Sequence, residues 1–203
     1  MKPPVIGLTG PMCAGKNLAA AFLARRGYAV ADADKIAHQA LEDVRDRVVG
    51  EFAEEASRAG IALTRADGSL DRRALGTLLF SNPAKLARHE AIVYPRIDEL
   101  LSAFVDMNIN RGVVINAPLL HKSSVLSRCD FVLFVDAPVV LRFFRALRRD
   151  HLSPRQITAR FSAQGKLFAQ YLLINVDIEK VHNRGSLRAL ERRLESALSR
   201  RGY

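Results

Sequence analysis

The chain has 203 residues, 49% hydrophobic and 26% charged, with a formal net charge of +10. That length suits one compact domain with a full hydrophobic core. No run of 18 apolar residues is present, which argues against a membrane-spanning helix, and two distant cysteines, Cys13 and Cys129, form neither a disulfide framework nor a zinc set. The amino terminus runs straight into a strand and loop rather than a signal peptide, so a soluble protein of the reducing cytoplasm is expected.

VIGLT (5–9) reads as a buried strand, and GPMCAGKN follows it. Gly10, Gly15 and Lys16 hold their places in the phosphate-loop pattern G-x-x-x-x-G-K-[ST], while Asn17 stands where a hydroxyl belongs. Gly10, Pro11, Met12, Cys13, Ala14, Gly15, Lys16, Asn17 and Leu18 are therefore the candidate ATP-binding residues. The N–H groups of residues 11–16 would wrap a phosphate, helped by the positive end of the helix that begins near Asn17, and Lys16 would neutralise the β and γ oxygens.

A second strand is expected at YAVAD (28–32) and a mostly helical block from Lys35 to Asn110, with a turn at ADGS (66–69) and a helix end before Pro95. Strands follow at GVVINA (112–117) and DFVLFVD (130–136). Two helices joined by RRDHLSP occupy 138–169, with Ser153 as N-cap and Pro154 at the first helical position. A further short strand falls within YLLINV (171–176) or around 179–182, and a last helix covers about 186–199, packed on the sheet. The alternation predicts an α/β fold with three layers, a parallel central sheet between helices. The reading is one domain, 1–203, with a helical insertion at about 35–110 over the sheet's carboxyl edge, where ligands of open α/β folds bind, and an arginine-rich lid at about 138–169.

Charge is uneven, since residues 141–203 carry 14 Lys and Arg against 5 Asp and Glu. Such an excess attracts nucleic acid or a phosphate-rich small ligand. Interleaved aromatics and a nucleic-acid module are lacking, so nucleic acid is not the expected partner. Arg192, Arg193, Arg200 and Arg201 read as a solvated helix face.

Several segments together resemble the dephospho-coenzyme A kinases, P-loop enzymes that phosphorylate the ribose 3′-hydroxyl of dephospho-CoA. The resemblance spans nearly the whole chain. It rests on IGLTGPMCAGK, the DAD triplet at Asp32–Asp34, DGSLDRRALGTLLFSNP from Asp67, YPRI at Tyr94, PLL at Pro118, RALRRDHLS from Arg145, Gln164, and NRGSL at Asn183. It implies a P-loop NTPase fold, ATP with Mg²⁺, and dephospho-CoA as acceptor, bound by the helical insertion at about 35–110, in the last step of coenzyme A synthesis. Another nucleoside or nucleotide kinase, or a nucleotide-binding homologue with impaired catalysis, are the competing readings.

Phosphoryl transfer needs positioning, charge neutralisation and a group to accept the hydroxyl proton. Asp34, just past the second strand, is the candidate base, the role the resembled family gives its counterpart; Asp32 or Asp34 as a helix cap is the other reading. Arg145 and Arg149, one helical turn apart, can face one phosphate, and the resemblance makes them lid arginines on ATP, with Lys16, Asp34 and Arg145 catalytic. It also puts Asp32, Asp71, Arg72 and Tyr94 near the acceptor, whereas Asp71 and Arg72 read alone are a helix-terminal charge and an exposed neighbour. Asn17, Pro11, Cys13, Tyr94, Asn116 and Lys122 depart from the family pattern. Asn17 and Asn116 are carboxamides at the hydroxyl and acid positions that support Mg²⁺, which leaves Asn17 as a weak metal ligand or both as compensated drift. The oligomeric state is left open.

Overall fold

A computed structural model of the protein describes residues 2–80, 82–150, 152–174 and 176–203. His151, in the joint between the expected lid helices, and Asn175, within 171–176, lie outside the described residues. The chain divides into two units, Met1–Ala33 with Phe104–Tyr203, and Asp34–Ala103.

The first unit is built on five parallel strands: β1 (Val5–Thr9), β2 (Ala29–Asp32), β3 (Val113–Asn116), β4 (Phe131–Asp136) and β5 (Ile178–His182), in the order β2-β3-β1-β4-β5. The four strands read from the sequence are present. Strands β1 and β3 are buried along their whole length, as expected of central strands covered on both faces, where apolar residues run continuously instead of alternating. Register is fixed by pairs such as Leu8 with Asn116 and Thr9 with Phe134. The fifth strand is the 178–182 alternative; the 171–173 stretch instead ends a helix, α8 (Leu167–Leu173).

Helices cover both sides of the sheet. On one face, Ala19, Ala20 and Leu23 of α1 (Lys16–Arg25) and Leu190, Leu194, Ala197 and Leu198 of α9 (Leu187–Ser199) form one core with Ile6, Leu8, Leu133 and Val135. On the other, Phe134 meets Phe168 and Tyr171 of α8 edge to face. Two helices follow β4: α6 (Val139–Asp150) and α7 (Pro154–Ala163). The expected cap is present, since Ser153 accepts from the Gln156 N–H and the Gln156 side chain returns the bond in a capping box. Arg142 joins the pair, bonded to the Ala137 carbonyl and lying over the Phe161 ring at 4.6 Å.

Of the four carboxy-terminal arginines read as a solvated helix face, Arg193 and Arg200 are exposed and Arg201 is partly buried. Arg200 and Arg201 pair with Glu179, Arg201 also lies over Phe131, and Arg193 donates to the His182 carbonyl. Arg192 is exposed.

The second unit holds α2 (beginning at Ala33 and running to Asp43), α3 (Arg45–Arg58), α4 (Arg72–Phe80) and most of α5 (Pro83–Met107) around a core of Val48, Phe52, Leu70, Leu75, Leu78, Leu79 and Val93. The 66–69 turn is present, with Asp67 accepting from the Ser69 N–H and hydroxyl and Gly68 at φ 79°. The helix end expected before Pro95 is not: α5 runs through it. Pro95 removes the bond to the Ala91 carbonyl, but both residues lie on the exposed side of the helix, where water can satisfy that oxygen. The opposite face, with Val93 in the core, keeps the helix continuous.

Candidate active site

Strand β1 ends at Thr9, and the chain turns at the carboxyl edge of the sheet, where order reverses between β3 and β4 on either side of β1. Open parallel sheets bind ligands at such points. Gly10 makes the turn possible: its φ is 143°, and a Cβ there would stand 2.0 Å from the Val135 carbonyl oxygen. Gly15 caps α1 in the left-handed region at φ 106°, and a Cβ there would meet the Asn183 amide at 2.3 Å. Between them Cys13 takes φ 60°, a conformation that costs an L-residue about 1–2 kcal/mol.

The loop is braced from outside. Gln164 Oε1 accepts the Met12 N–H at 2.7 Å, Asn183 Nδ2 donates to the Ala14 carbonyl at 2.8 Å, and Arg145 Nη1 donates to the Cys13 carbonyl at 3.2 Å. Lys16 Nζ donates back to the Gly10 carbonyl at 3.1 Å. The sequence sets this up through residues far apart: Gln164 ends α7, Asn183 follows β5, and Arg145 lies on α6. A second set of bonds fixes the end of β1, with the Tyr171 hydroxyl donating to Thr9 Oγ1 at 3.1 Å and accepting the His121 N–H at 3.2 Å, while Thr9 Oγ1 donates to the Pro118 carbonyl. Tyr171 is fully buried, which raises its phenol above the ordinary value.

Beside the loop opens a cavity of about 480 Å³, lined among others by Lys16, Asn17, Arg145, Arg148, Arg149 and Asn183. This falls in the range of small-molecule sites. Among the described residues its lining holds four cationic side chains and no carboxylate, and the first turn of α1 has no acidic residue. The N–H groups at the start of α1 and the helix dipole add to that positive field. Such a site suits a polyanion of phosphate groups.

Under the start of α1, Asn116 Nδ2 donates to Asn17 Oδ1 at 3.2 Å. Asn116 is only 8% exposed, and its Oδ1 has no hydrogen-bond partner. Asp32, at the end of β2, stands in register with it.

In the second unit, Asp34 lies exposed in the first turn of α2. Asp71 caps α4: its Oδ1 accepts the Arg73 and Ala74 N–H groups, each at 3.0 Å. Those bonds, the Ala74 bond foremost, hold its carboxyl below the usual carboxylate range. Arg72 is exposed at the first position of α4. Tyr94 is half-buried on α5, and burial pushes its phenol up to about 12.

The family model for dephospho-CoA kinase matches residues 4–182. The chain belongs to the dephospho-CoA kinase family. A dephospho-CoA kinase of Treponema pallidum is 39% identical over 98% of this chain and 96% of its own length, and one of Treponema denticola is 37% identical over 100% and 92%. A crystal structure from Thermus thermophilus, 32% identical, superposes with a TM-score of 0.79 over 98% of both chains. A Campylobacter jejuni dephospho-CoA kinase, 20% identical with a TM-score of 0.63, covers 98% of this chain and 97% of its own and supports the fold.

Of the residues singled out in the sequence for a kinase of this family, Cys13, Gly15–Leu18, Arg145 and Arg149 line one cavity. Gly10, Pro11, Met12 and Ala14 complete the loop, and Asp32 stands at the end of β2, beyond β3 from β1. Asp34, Asp71, Arg72 and Tyr94 belong to the second unit. Arg148 was not singled out, although its place in the 145, 148, 149 spacing puts it on the same helix face. Gln164 and Asn183 were noted as motif letters; their loop contacts are long-range. Tyr171 left no local signal.

Proposed function

We infer that this chain transfers the γ-phosphoryl group of ATP to the ribose 3′-hydroxyl of dephospho-CoA, giving coenzyme A. The observation that carries the site reading is the convergence of Lys16, the α1 amino terminus and the α6 arginines on one cavity. The transition state spreads charge over the transferred oxygens, and fixed cations and N–H groups stabilise it. Lys16 and the loop N–H groups hold the phosphates. Arg145 and Arg149 leave their resting positions against the loop and cavity wall to pair with phosphate oxygens through their planar donor forks. Asp34 accepts the acceptor hydroxyl's proton, and Asp32, Asp71, Arg72 and Tyr94 contact the acceptor. Tyr94 does so as a neutral phenol, with its proton available to donate.

Mg²⁺ enters with the nucleotide. The carboxamides Asn17 and Asn116 are a weak donor set for a hard cation, and the buried Oδ1 of Asn116 is suited to accept a hydrogen from one of its waters. Held chiefly by the nucleotide and water, with only weak support from Asn17, it would supply neutralisation of the β and γ oxygens. We place the reaction in a reducing cytoplasm, consistent with the thiols of Cys13 and Cys129.

ADP release measured with dephospho-CoA, adenosine and nucleoside monophosphates tests the substrate. Turnover is expected with dephospho-CoA alone, and Asp34→Asn should lower kcat by roughly 10²–10⁴-fold. A full rate in that variant removes Asp34 from the role of base.

A further inference from the structure

The place where a P-loop enzyme supports its metal is built in this chain from two neutral amides. A hydroxyl at position 17 and a carboxylate at 116 would form a pair in which the hydroxyl donates, leaving its oxygen lone pairs toward the cation while the carboxylate adds a negative charge. Here the sense of the bond is reversed. Asn116 Nδ2 donates to Asn17 Oδ1 at 3.2 Å, so one of the two lone pairs on the only side-chain oxygen at position 17 is already committed. Asn116 contributes no charge, and its buried Oδ1 has no partner.

The surroundings act in the same direction. Lys16, Arg145, Arg148 and Arg149 line the cavity with no carboxylate among the described lining residues, so they attract ATP⁴⁻ more strongly than the magnesium complex with half its charge. The nearest carboxylate in the same row of the sheet is Asp32, on β2, on the far side of Asn116 from β1. It lies one strand further out than the position an acid would occupy at 116.

We propose that the Asn17–Asn116 amide pair makes nucleotide binding by this chain nearly indifferent to Mg²⁺, the cation being held by the nucleotide and water rather than by the protein. The proposal rests on the ATP site assigned above. It makes Asn116, through its hold on Asn17, a positioning residue that sets metal dependence.

Isothermal titration of the full chain with ATP, once in excess Mg²⁺ and once in EDTA, reads the effect directly. The two dissociation constants should agree within about fivefold. The double variant Asn17→Ser/Asn116→Asp restores the hydroxyl–carboxylate pair and should bind ATP more than fivefold more tightly with Mg²⁺ than without. A wild-type preference for Mg²⁺ above fivefold overturns the proposal whether or not the variant folds, and so does a folded double variant whose ratio matches the wild type. Failure to bind ATP in either medium defeats the ATP-site reading itself.

Discussion

Gly10 is the position where the loop tolerates least. An added Cβ would lie 2.0 Å from the Val135 carbonyl, a backbone atom of the adjacent strand that cannot rotate away, and φ 143° is itself unfavourable for any L side chain. Gly10→Ala should cost about 3 kcal/mol or more, seen as a large drop in the thermal midpoint together with loss of ATP binding. Cys13 gives a second residue-scale test. It belongs to the loop, packs on Ala146 and Ile157 and lines the cavity, so with nucleotide bound as proposed ATP should slow its alkylation by iodoacetamide, read by mass spectrometry of the loop peptide. Equal labelling with and without ATP would place the phosphates elsewhere. These loop positions were legible in the sequence because glycine spacing and a terminal lysine encode backbone geometry locally. The bond from Asn116 to Asn17 was not, because it joins residues 99 positions apart.

Strands β1 to β4 were readable because each is a short apolar run bounded by turn residues, and helix α7 because its cap is written in adjacent letters, Ser153, Pro154 and Gln156. Pro95 misled for a definite reason. Its local rule concerns one missing N–H, whereas the fate of α5 is decided by the apolar face on the other side of the helix. Pro95→Ala restores that bond without disturbing the core and should raise stability by about 1–3 kcal/mol, measurable by denaturant unfolding. At the same scale, Gln164 ties the end of α7 to the loop through the Met12 N–H. Removing its acceptor with Gln164→Leu leaves that donor unpaired, at a cost of about 1–3 kcal/mol. The KM for ATP should rise while the affinity for dephospho-CoA is unchanged.

Over the whole molecule, the sequence conveyed the α/β architecture through alternation, but not how far the basic excess is neutralised by packing. Arg25 at the end of α1 and Arg26, its C-cap, pair with Glu191 and Glu195 of α9, and Arg201 with Asp177 and Glu179, across elements whose contact no local pattern announces. The solvent-exposed pairs among these contribute little individually, and the pH response is set elsewhere. The carboxyls held low, Glu55, Asp67, Asp71 and Asp106, act only below about pH 4.5. Between about pH 5 and 7 the groups that matter are His89 and His121, one in each unit. Burial lowers both below the ordinary histidine value, Lys122 adds to the effect at His121, and each has a buried ring nitrogen without a partner. The unfolded chain therefore binds protons near pH 6.5 that the folded chain refuses, and stability must fall as pH falls. Their contribution is complete above the unfolded value of about 6.5 and is lost progressively as pH drops toward the lower folded values. The thermal midpoint should be higher at pH 7.5 than at pH 5.5, and His89→Gln/His121→Gln should flatten that dependence. A slope unchanged in the double variant would assign it to the growing net positive charge instead.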